Sequence, residues 1–157
     1  MLTKTNKRDG WCYRKQENMT VYITRRESFS AAHRLHNPGL SAQENLRIFG
    51  KCNNPHGHGH NYNLEVTVRG KPDRETGMVM NITDIKTILN ENVLNLLDHR
   101  NIDKEVDWFK NGRCSTAENL VIFIWNQIHP LIPHPAVLDQ VKLWETEKNI
   151  AIYRGEE

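Results

Sequence analysis

The sequence predicts an α+β domain in which two helices pack on one face of a four-stranded antiparallel sheet. The order of the elements supports this class. Strand-like alternation occupies residues Val21 to His33 and Tyr62 to Arg69, and it returns from Val137 to Tyr153. Two segments with helical spacing lie between them. Strands that follow one another as hairpins pair antiparallel, and helices grouped in the sequence pack together on such a sheet. The predicted order is therefore ββααββ.

The first strand is predicted from residues of odd number that share one face: Val21, Ile23, Phe29, Ala31 and His33. Because the charged stretch from Arg25 to Glu27 interrupts this pattern, we expect a β-bulge there. The second strand alternates cleanly, with apolar residues at Tyr62, Leu64, Val66 and Val68. Both strands therefore have one face that is suited to burial.

Three helices are predicted from capping residues and apolar spacing. A short helix in the insertion after the first strand begins with a capping box of Ser41 and Glu44. Asn81 can cap a long helix with apolar positions Ile82, Ile85, Ile88, Leu89, Val93, Leu96 and Leu97. Ser115 and Glu118 form a second capping box and open a helix that ends near His129. The last two strands are then expected to form a hairpin that turns at residues 147–148.

Composition excludes several classes of protein. The chain has 157 residues, a net charge of +2 and 25% charged residues, which is typical of one globular domain and predicts no nucleic-acid or membrane surface. Its longest apolar run, Leu120 to Trp125, is six residues, whereas a membrane span needs about 20. Residues 1–18 are expected to be a flexible arm, and residues 19–157 a single catalytic domain. Three cysteines without framework spacing favour a reducing, cytoplasmic location.

The histidines are the most informative feature, since five of the eight lie between His33 and His60. His58 and His60 lead into the second strand at positions i and i+2, so their rings point the same way. His33 ends the first strand on its apolar face. If the strands pair, three imidazoles converge and leave a fourth position open, as in catalytic zinc sites. His56 is a rival ligand, and surface positions are expected for His36, His129 and His134.

Three further groups carry possible chemistry. Cys52 lies six residues before His58, in a Gly- and Pro-rich loop that can fold its thiol over the metal, whereas Cys12 and Cys114 are expected to be apolar fillers. Asp98 and His99 follow the first long helix, and they gain meaning only if the pair reaches Cys52. Glu145 shares the apolar face of its strand with Val141 and Leu143, and a carboxylate there must be paired or bind something.

Six motifs in order resemble the 6-pyruvoyl-tetrahydropterin synthase family, and the match runs from about Thr24 to Gly155. The motifs are FSAAHRL, FGKCNNPHGHGHNY, TGMVMN, LDHRN, STAENL and WETEKNIAIYRG. The resemblance implies the tunnelling fold, in which sheets of three subunits form a β-barrel and two trimers stack into a homohexamer. Such assembly would cover the open face of the sheet. It also implies zinc-dependent conversion of 7,8-dihydroneopterin triphosphate to 6-pyruvoyl-tetrahydropterin and triphosphate, in tetrahydrobiopterin biosynthesis.

The resemblance assigns roles residue by residue. The zinc ligands are His33, His58 and His60, and the thiolate that removes a proton is Cys52. Asp98 and His99 complete a proton relay, from a neighbouring subunit. Glu145 anchors the pterin and is sometimes counted in the relay, and Thr116 is a secondary pterin contact. One Zn²⁺ per subunit is expected, and Mg²⁺ is a possible companion of the triphosphate. Lys51, Arg34 and Arg47 are candidates for contacts with the triphosphate.

Two alternatives stay open. The first is 6-carboxy-tetrahydropterin synthase of the queuosine pathway, whose loop usually places the cysteine four residues before its first ligand instead of six. The second is a zinc-binding relative without catalysis, for which Cys52 would have no purpose. Neither nucleic acid nor a membrane is expected as a partner.

Overall fold

A five-stranded mixed sheet positions the site in the computed structural model, which describes residues 19–156. The strands are β1 Val21–His33, β2 His58–Gly70, β3 Arg100–Asn101, β4 Val137–Trp144 and β5 Ile150–Tyr153, in the spatial order β3-β1-β2-β4-β5. The four long strands pair antiparallel, as predicted. The expected arm at residues 1–18 lies outside the described residues.

The short strand β3 was not predicted, and the expectation of a purely antiparallel four-stranded sheet is wrong in this respect. β3 runs parallel to β1, with Ala31 opposite Arg100. The amide N–H of His99 donates to the carbonyl of Ser30 at 2.7 Å, which brings the chain alongside the edge of β1. Two residues carry no recognisable alternation, so sequence periodicity has no means of finding such a strand.

The three predicted helices are present, the second of them interrupted by a π-helical turn, and two short helices between residues 102 and 110 were not predicted. They are α1 Ala42–Phe49, α2 Ile82–Leu89, α3 Asn95–Leu97, α4 Ile102–Glu105, α5 Asp107–Lys110 and α6 Ala117–Ile128; a π-helical turn, Asn90–Leu94, joins α2 to α3, and 3₁₀ turns occupy Gly50–Asn53 and His129–Leu131. The capping box of Ser41 and Glu44 is confirmed. The side chain of Asn81 accepts from the amide of Thr83 and caps α2, as predicted. None of these described helices is long and apolar enough to cross a membrane.

The predicted cap of the last long helix is wrong by one residue. Thr116, not Ser115, is the N-cap of α6, and its hydroxyl accepts from the amide of Asn119. Ser115 is fully buried, and its carbonyl oxygen lies 2.8 Å from Nδ1 of His33. The Ser115 hydroxyl also lies near the same ring nitrogen, at 3.3 Å, and the adjacent threonine supplies the side-chain cap.

The bulge expected in β1 is absent. The pairing of β1 with β2 is continuous through Arg25 and Glu27. These two side chains form an ion pair, with Nη2 and Oε1 2.6 Å apart, so both charges have a partner on the inner face. The register shift lies instead between Thr67 and Val68, where β2 pairs with β4.

One face of the sheet forms the core together with α2 and α6. Phe29, Tyr62 and Leu64 belong to a single buried cluster with Leu89 and Ile124. The opposite face is open: Tyr22, Ile150 and Ile152 are exposed there. The core face ends at His33 and His58, so the predicted ligands lie at the margin of the apolar interior.

Candidate metal centre and its surroundings

The register of β1 and β2 brings three imidazoles together on the core face. His33 is opposite His58, and Ala31 is opposite His60, so the three rings occupy neighbouring positions. One nitrogen from each ring lies within 4.8 Å of the others, a spacing that could hold a metal ion. Nε2 of His33 and Nε2 of His58 are 3.2 Å apart. The predicted convergence of these rings is therefore confirmed.

The carbonyl of Ser115 fixes the tautomer of His33. Because a carbonyl oxygen only accepts, the 2.8 Å contact places the ring proton on Nδ1, and His33 donates it. The neutral ring then has its lone pair on Nε2, which faces His58. A hydrogen bond of this kind from the far ring nitrogen is typical of histidines that bind metals, since it fixes the orientation of the ring.

Burial favours the uncharged form of His33 and His58. Removal of His33 from water lowers its pKa below the ordinary value, and the nearby His58 and His60 act in the same direction, although the bond to Ser115 opposes them. The pKa of His58 is also lowered, chiefly by burial and then by His60. Neutral imidazole is the form that binds metal ions.

The donor set fits a divalent cation. The lone pair of His33 faces a second imidazole nitrogen at 3.2 Å. Nδ1 of His58 is buried and has no hydrogen-bond partner among the described residues. No acceptor among these residues therefore fixes the proton of this ring on Nδ1. A cation that takes lone pairs from all three rings satisfies this arrangement better than mutual contact does.

Glu145 supplies a carboxylate beside the cluster. Its Oε1 lies 3.8 Å from Nε2 of His33 and 4.0 Å from Nε2 of His60. The predicted strand face is confirmed, since Val141 and Leu143 are completely buried. Glu145 follows the last residue of β4, where the sheet turns toward β5, so it faces the cluster from the edge of the core.

Cys52 lies in the 3₁₀ turn before β2 and is half-buried as a free thiol. Its carbonyl accepts from the amide of Leu35 at 2.9 Å, which places the turn against the segment after His33. The loop after this turn packs closely on His33: a Cβ at Gly57 would lie 2.9 Å from the carbonyl oxygen of His33, and the φ of Gly57 is +74°. His56 is exposed and lies outside the cluster of possible ligands.

Asp98 and His99 form a pair at the other edge of β1. Oδ2 of Asp98 lies 2.9 Å from Nδ1 of His99, and Oδ1 accepts from the amide of Ser30. That N–H bond is the main reason why the pKa of Asp98 is lowered. The side chain of His99 is 84% exposed, and its φ is 60°. His60 and His99 both line one open cleft of about 460 Å³.

Several neighbours of the site were missed or misplaced by sequence reasoning. His36 was expected at the surface, but it is half-buried with Nδ1 3.0 Å from the side chain of Asn53. The roles of Asn53 and of the Ser115 carbonyl depend on distant partners, so neither had a signal in the sequence.

Comparison with known proteins agrees with this arrangement. A family model for 6-pyruvoyl tetrahydropterin synthase matches residues 22–156. The chain is 55% identical over 135 residues to 6-pyruvoyl tetrahydrobiopterin synthase from Drosophila melanogaster, covering 86% of this chain and 80% of that protein. The solved structure of Caenorhabditis elegans 6-pyruvoyl tetrahydropterin synthase superposes with a TM-score of 0.83 at 45% identity, over 88% of this chain and 97% of the other.

The chain belongs to the 6-pyruvoyl tetrahydropterin synthase family. It is therefore an enzyme, a phosphate-eliminating lyase of tetrahydrobiopterin biosynthesis, and the resemblance drawn from the six motifs is confirmed. A putative 6-carboxy-5,6,7,8-tetrahydropterin synthase from Archaeoglobus fulgidus is more distant, at 34% identity over 72% of this chain and 78% of that protein. The family match includes the histidine cluster, Cys52 and Glu145.

Proposed function

We propose that this family member converts 7,8-dihydroneopterin triphosphate to 6-pyruvoyl-tetrahydropterin and triphosphate, with zinc held by His33, His58 and His60. The observation that carries the proposal is the convergence of three imidazoles within 4.8 Å, beside the carboxylate of Glu145. The reaction combines an elimination with an internal redox shift, so it needs acid-base groups and no external hydride donor.

Zinc is the metal that suits this donor set. Three histidines with a vacant position are typical of catalytic zinc, whereas structural zinc is usually closed by four protein ligands. When bound, the ion supplies Lewis-acid polarisation of the hydroxyls on the substrate side chain. Magnesium would accompany the triphosphate and not the histidines, because it prefers oxygen ligands.

Cys52 is the proposed base that removes a proton from the substrate side chain. A half-buried free thiol in a turn that packs against the segment after His33 supports this role. The thiolate form is needed, because the thiol itself has no basic site of comparable strength. A proton accepted by the Cys52 sulfur must later leave the site, which requires a second titratable group.

Asp98 and His99 are the proposed relay for that proton. The carboxylate contacts Nδ1 of His99 at 2.9 Å, so it orients the ring and leaves Nε2 free to exchange protons. His99 is exposed on its own subunit, which supports the earlier expectation that it acts at the site of a neighbour.

Glu145 is the proposed anchor of the pterin ring. A carboxylate accepts from a ring N–H and an adjacent amino group at once, and this paired contact fixes the orientation of the substrate. Thr116 remains a secondary proposal for the same ring; it is half-buried at the start of α6, and its hydroxyl caps that helix.

Assembly into trimers and then a hexamer completes the proposal. The open sheet face supports it, since Tyr22, Ile150 and Ile152 are 57%, 46% and 52% exposed there. A second copy of the chain is the expected partner for apolar groups on a sheet. We also propose that the enzyme acts in the cytoplasm, where its free thiols would stay reduced.

Metal analysis combined with an activity assay tests the proposal. The expected result is about one zinc per subunit, loss of turnover of dihydroneopterin triphosphate with a chelator, and recovery with added zinc. Full activity of metal-free protein would contradict it. Analysis of the product shows which of the two reactions takes place, since a carboxy product with released acetaldehyde would favour the queuosine-pathway alternative.

Substitution of the cysteines separates catalysis from zinc binding. Cys52→Ala is expected to reduce turnover by about 100-fold or more while zinc content stays unchanged. Cys114→Ala is the matched control, because Cys114 is also a half-buried free thiol. A fully active Cys52→Ala enzyme would contradict the role of the thiolate and would show that Cys52 has no purpose in catalysis.

A further inference from the structure

Asn53, the neighbour of Cys52, is almost completely buried at 9% exposure. Its side-chain Nδ2 donates to the carbonyl of Leu35 at 2.7 Å and lies 3.0 Å from Nδ1 of His36. In the opposite direction, the amide of Leu35 donates to the carbonyl of Cys52 at 2.9 Å. Leu35 is therefore bound on both sides by the turn that carries the thiol.

Arg34 holds the same turn from a second direction. Its Nε donates to the carbonyl of Asn53 at 2.9 Å, and its Nη2 donates to Oδ1 of Asn53 at 3.3 Å. The amide of Arg34 donates to Asp103 at 2.6 Å, which fixes the backbone at this point. Arg34 was considered above for the triphosphate, but two of its donors are committed to Asn53.

These contacts connect the thiol to the metal centre through a short and rigid path. Arg34 follows His33 directly, and His33 is itself fixed by the carbonyl of Ser115. The position of Cys52 relative to the three imidazoles therefore depends on the bonds that join residues 34–36 to residues 52–53. A displacement of about 1 Å in such a group can cost about 100-fold in rate.

We propose that Asn53 is a positioning residue, which with Arg34 fixes the distance between the Cys52 thiol and the metal centre. The inference rests on the proposed role of Cys52 as the base. Asn53 acts on the position of the thiol through its contacts with Leu35 and Arg34, and it is not proposed to touch the reacting atoms. Removal of its side chain should free the turn without removing any metal ligand.

The chain offers a matched control for a purely structural role. Asn45 is fully buried and connects a loop in the same way, since its Nδ2 donates to the carbonyls of Asn37 and Leu40. It lies in α1, in the insertion between β1 and β2, and it holds the loop at residues 37–41 and not the Cys52 turn. Loss of either asparagine should lower thermal stability to a similar degree.

The test compares zinc-loaded Asn53→Ala and Asn45→Ala enzymes in the steady state. For Asn53→Ala we expect kcat to fall by about 10-fold or more, with KM within about twofold and zinc content unchanged. Hydrogen exchange at the Leu35 amide should accelerate by about 10-fold or more, since its acceptor belongs to the freed turn. Asn45→Ala should keep the kcat and the Leu35 exchange rate of the wild type.

A second variant keeps the proposal testable if Asn53→Ala does not fold. Arg34→Lys retains the charge but lacks the two donors that reach Asn53, so we expect a lower kcat and faster exchange of the Leu35 amide than in the wild type, with KM and zinc content unchanged. Wild-type kcat and Leu35 exchange in these variants would overturn the proposal, as would an equal loss of kcat in Asn45→Ala.

The outcome is distinguishable from failure of the proposed function. A fully active Cys52→Ala enzyme would show that the thiol is not the base, and the proposal that Asn53 positions a catalytic group would fall with it. An inactive Cys52→Ala enzyme together with a fully active Asn53→Ala enzyme would overturn the positioning role alone.

Discussion

Two histidine regions lie on opposite sides of β1, and they differ in how far one chain completes them. The cluster of His33, His58 and His60 is partly or wholly buried, and the carbonyl of Ser115 orients His33. His99 has an exposed ring whose Nδ1 lies 2.9 Å from Oδ2 of Asp98. The first region is preorganised by the fold, whereas the second presents its imidazole outward.

The difference follows from what each region is proposed to do. A metal ligand must be neutral and rigid, and burial in the core achieves both. A proton relay must reach a reacting group and exchange protons, so exposure is compatible with its task. One chain supplies all three imidazoles of the cluster, whereas the exposed ring of His99 is available to a second subunit, as proposed above.

Removal of a cluster ligand should have the largest effect. His58→Ala leaves two imidazoles, so we expect the zinc content to fall well below one per subunit and turnover to be lost. His56→Ala is the control, because His56 is exposed and outside the cluster. Atomic absorption and the activity assay measure both. Retained zinc in His58→Ala with loss of zinc in His56→Ala would reverse the assignment of the two residues.

Removal of the relay histidine should separate activity from metal binding. His99→Ala is expected to reduce kcat by about 100-fold, because a positioned acid-base group contributes on that scale. Zinc content and thermal stability should stay at the wild-type level, since the ring is 84% exposed. Mixing this variant with inactive Cys52→Ala should restore part of the activity if the two residues meet across subunits. The absence of any recovery would contradict the intersubunit arrangement.

A glycine substitution tests how closely the loop packs on the metal centre. Gly57 and Gly77 both have positive φ, at +74° and +72°, but only at Gly57 would a Cβ meet another atom, the His33 carbonyl at 2.9 Å. Gly57→Ala should therefore destabilise the chain by more than the cost of about 1–2 kcal/mol that both alanines share for this backbone conformation. Urea unfolding of the two variants provides the measurement. Equal losses would show that the loop yields easily.

The smallest predicted effect concerns acid stability at the relay. The Ser30 amide holds the pKa of Asp98 below its ordinary value, so the folded chain binds fewer protons at this group than the unfolded chain does. The resulting stability is present above the unfolded pKa of about 3.9 and is lost as the pH falls through the folded pKa. Asp98→Asn removes this dependence, so its Tm should approach that of the wild type in acid. A Tm difference between wild type and Asp98→Asn that stays constant across this pH range would contradict the lowered pKa of Asp98.

Much of the metal centre could be predicted from strand periodicity. His58 and His60 are two residues apart on a strand, and His33 ends the preceding strand on its apolar face, so pairing alone brings the rings together. The same reasoning placed Glu145 on a buried face. These predictions succeeded because side-chain direction in a strand depends on local geometry alone.

Most of the remaining features depend on contacts between distant residues. Ser115 and Thr116 both match helix-capping patterns, but the hydroxyl of Ser115 lies 3.3 Å from Nδ1 of His33, a residue 82 positions away, and Thr116 is the cap. The bonds from Asn53 to Leu35 likewise join segments whose proximity exists only in the folded chain. The bulge expected at Arg25 to Glu27 was wrong for a local reason, because these two charges lie on one strand face and form an ion pair with each other.

Zinc-edge X-ray absorption of the purified enzyme is the most direct test of the central claim, that three histidines hold the metal while Cys52 stays free for catalysis. We expect the zinc to be bound by imidazole nitrogens at about 2.0–2.1 Å, with oxygen as the remaining ligand and no sulfur. A sulfur ligand at about 2.3 Å would place Cys52 on the metal and contradict its role as the base.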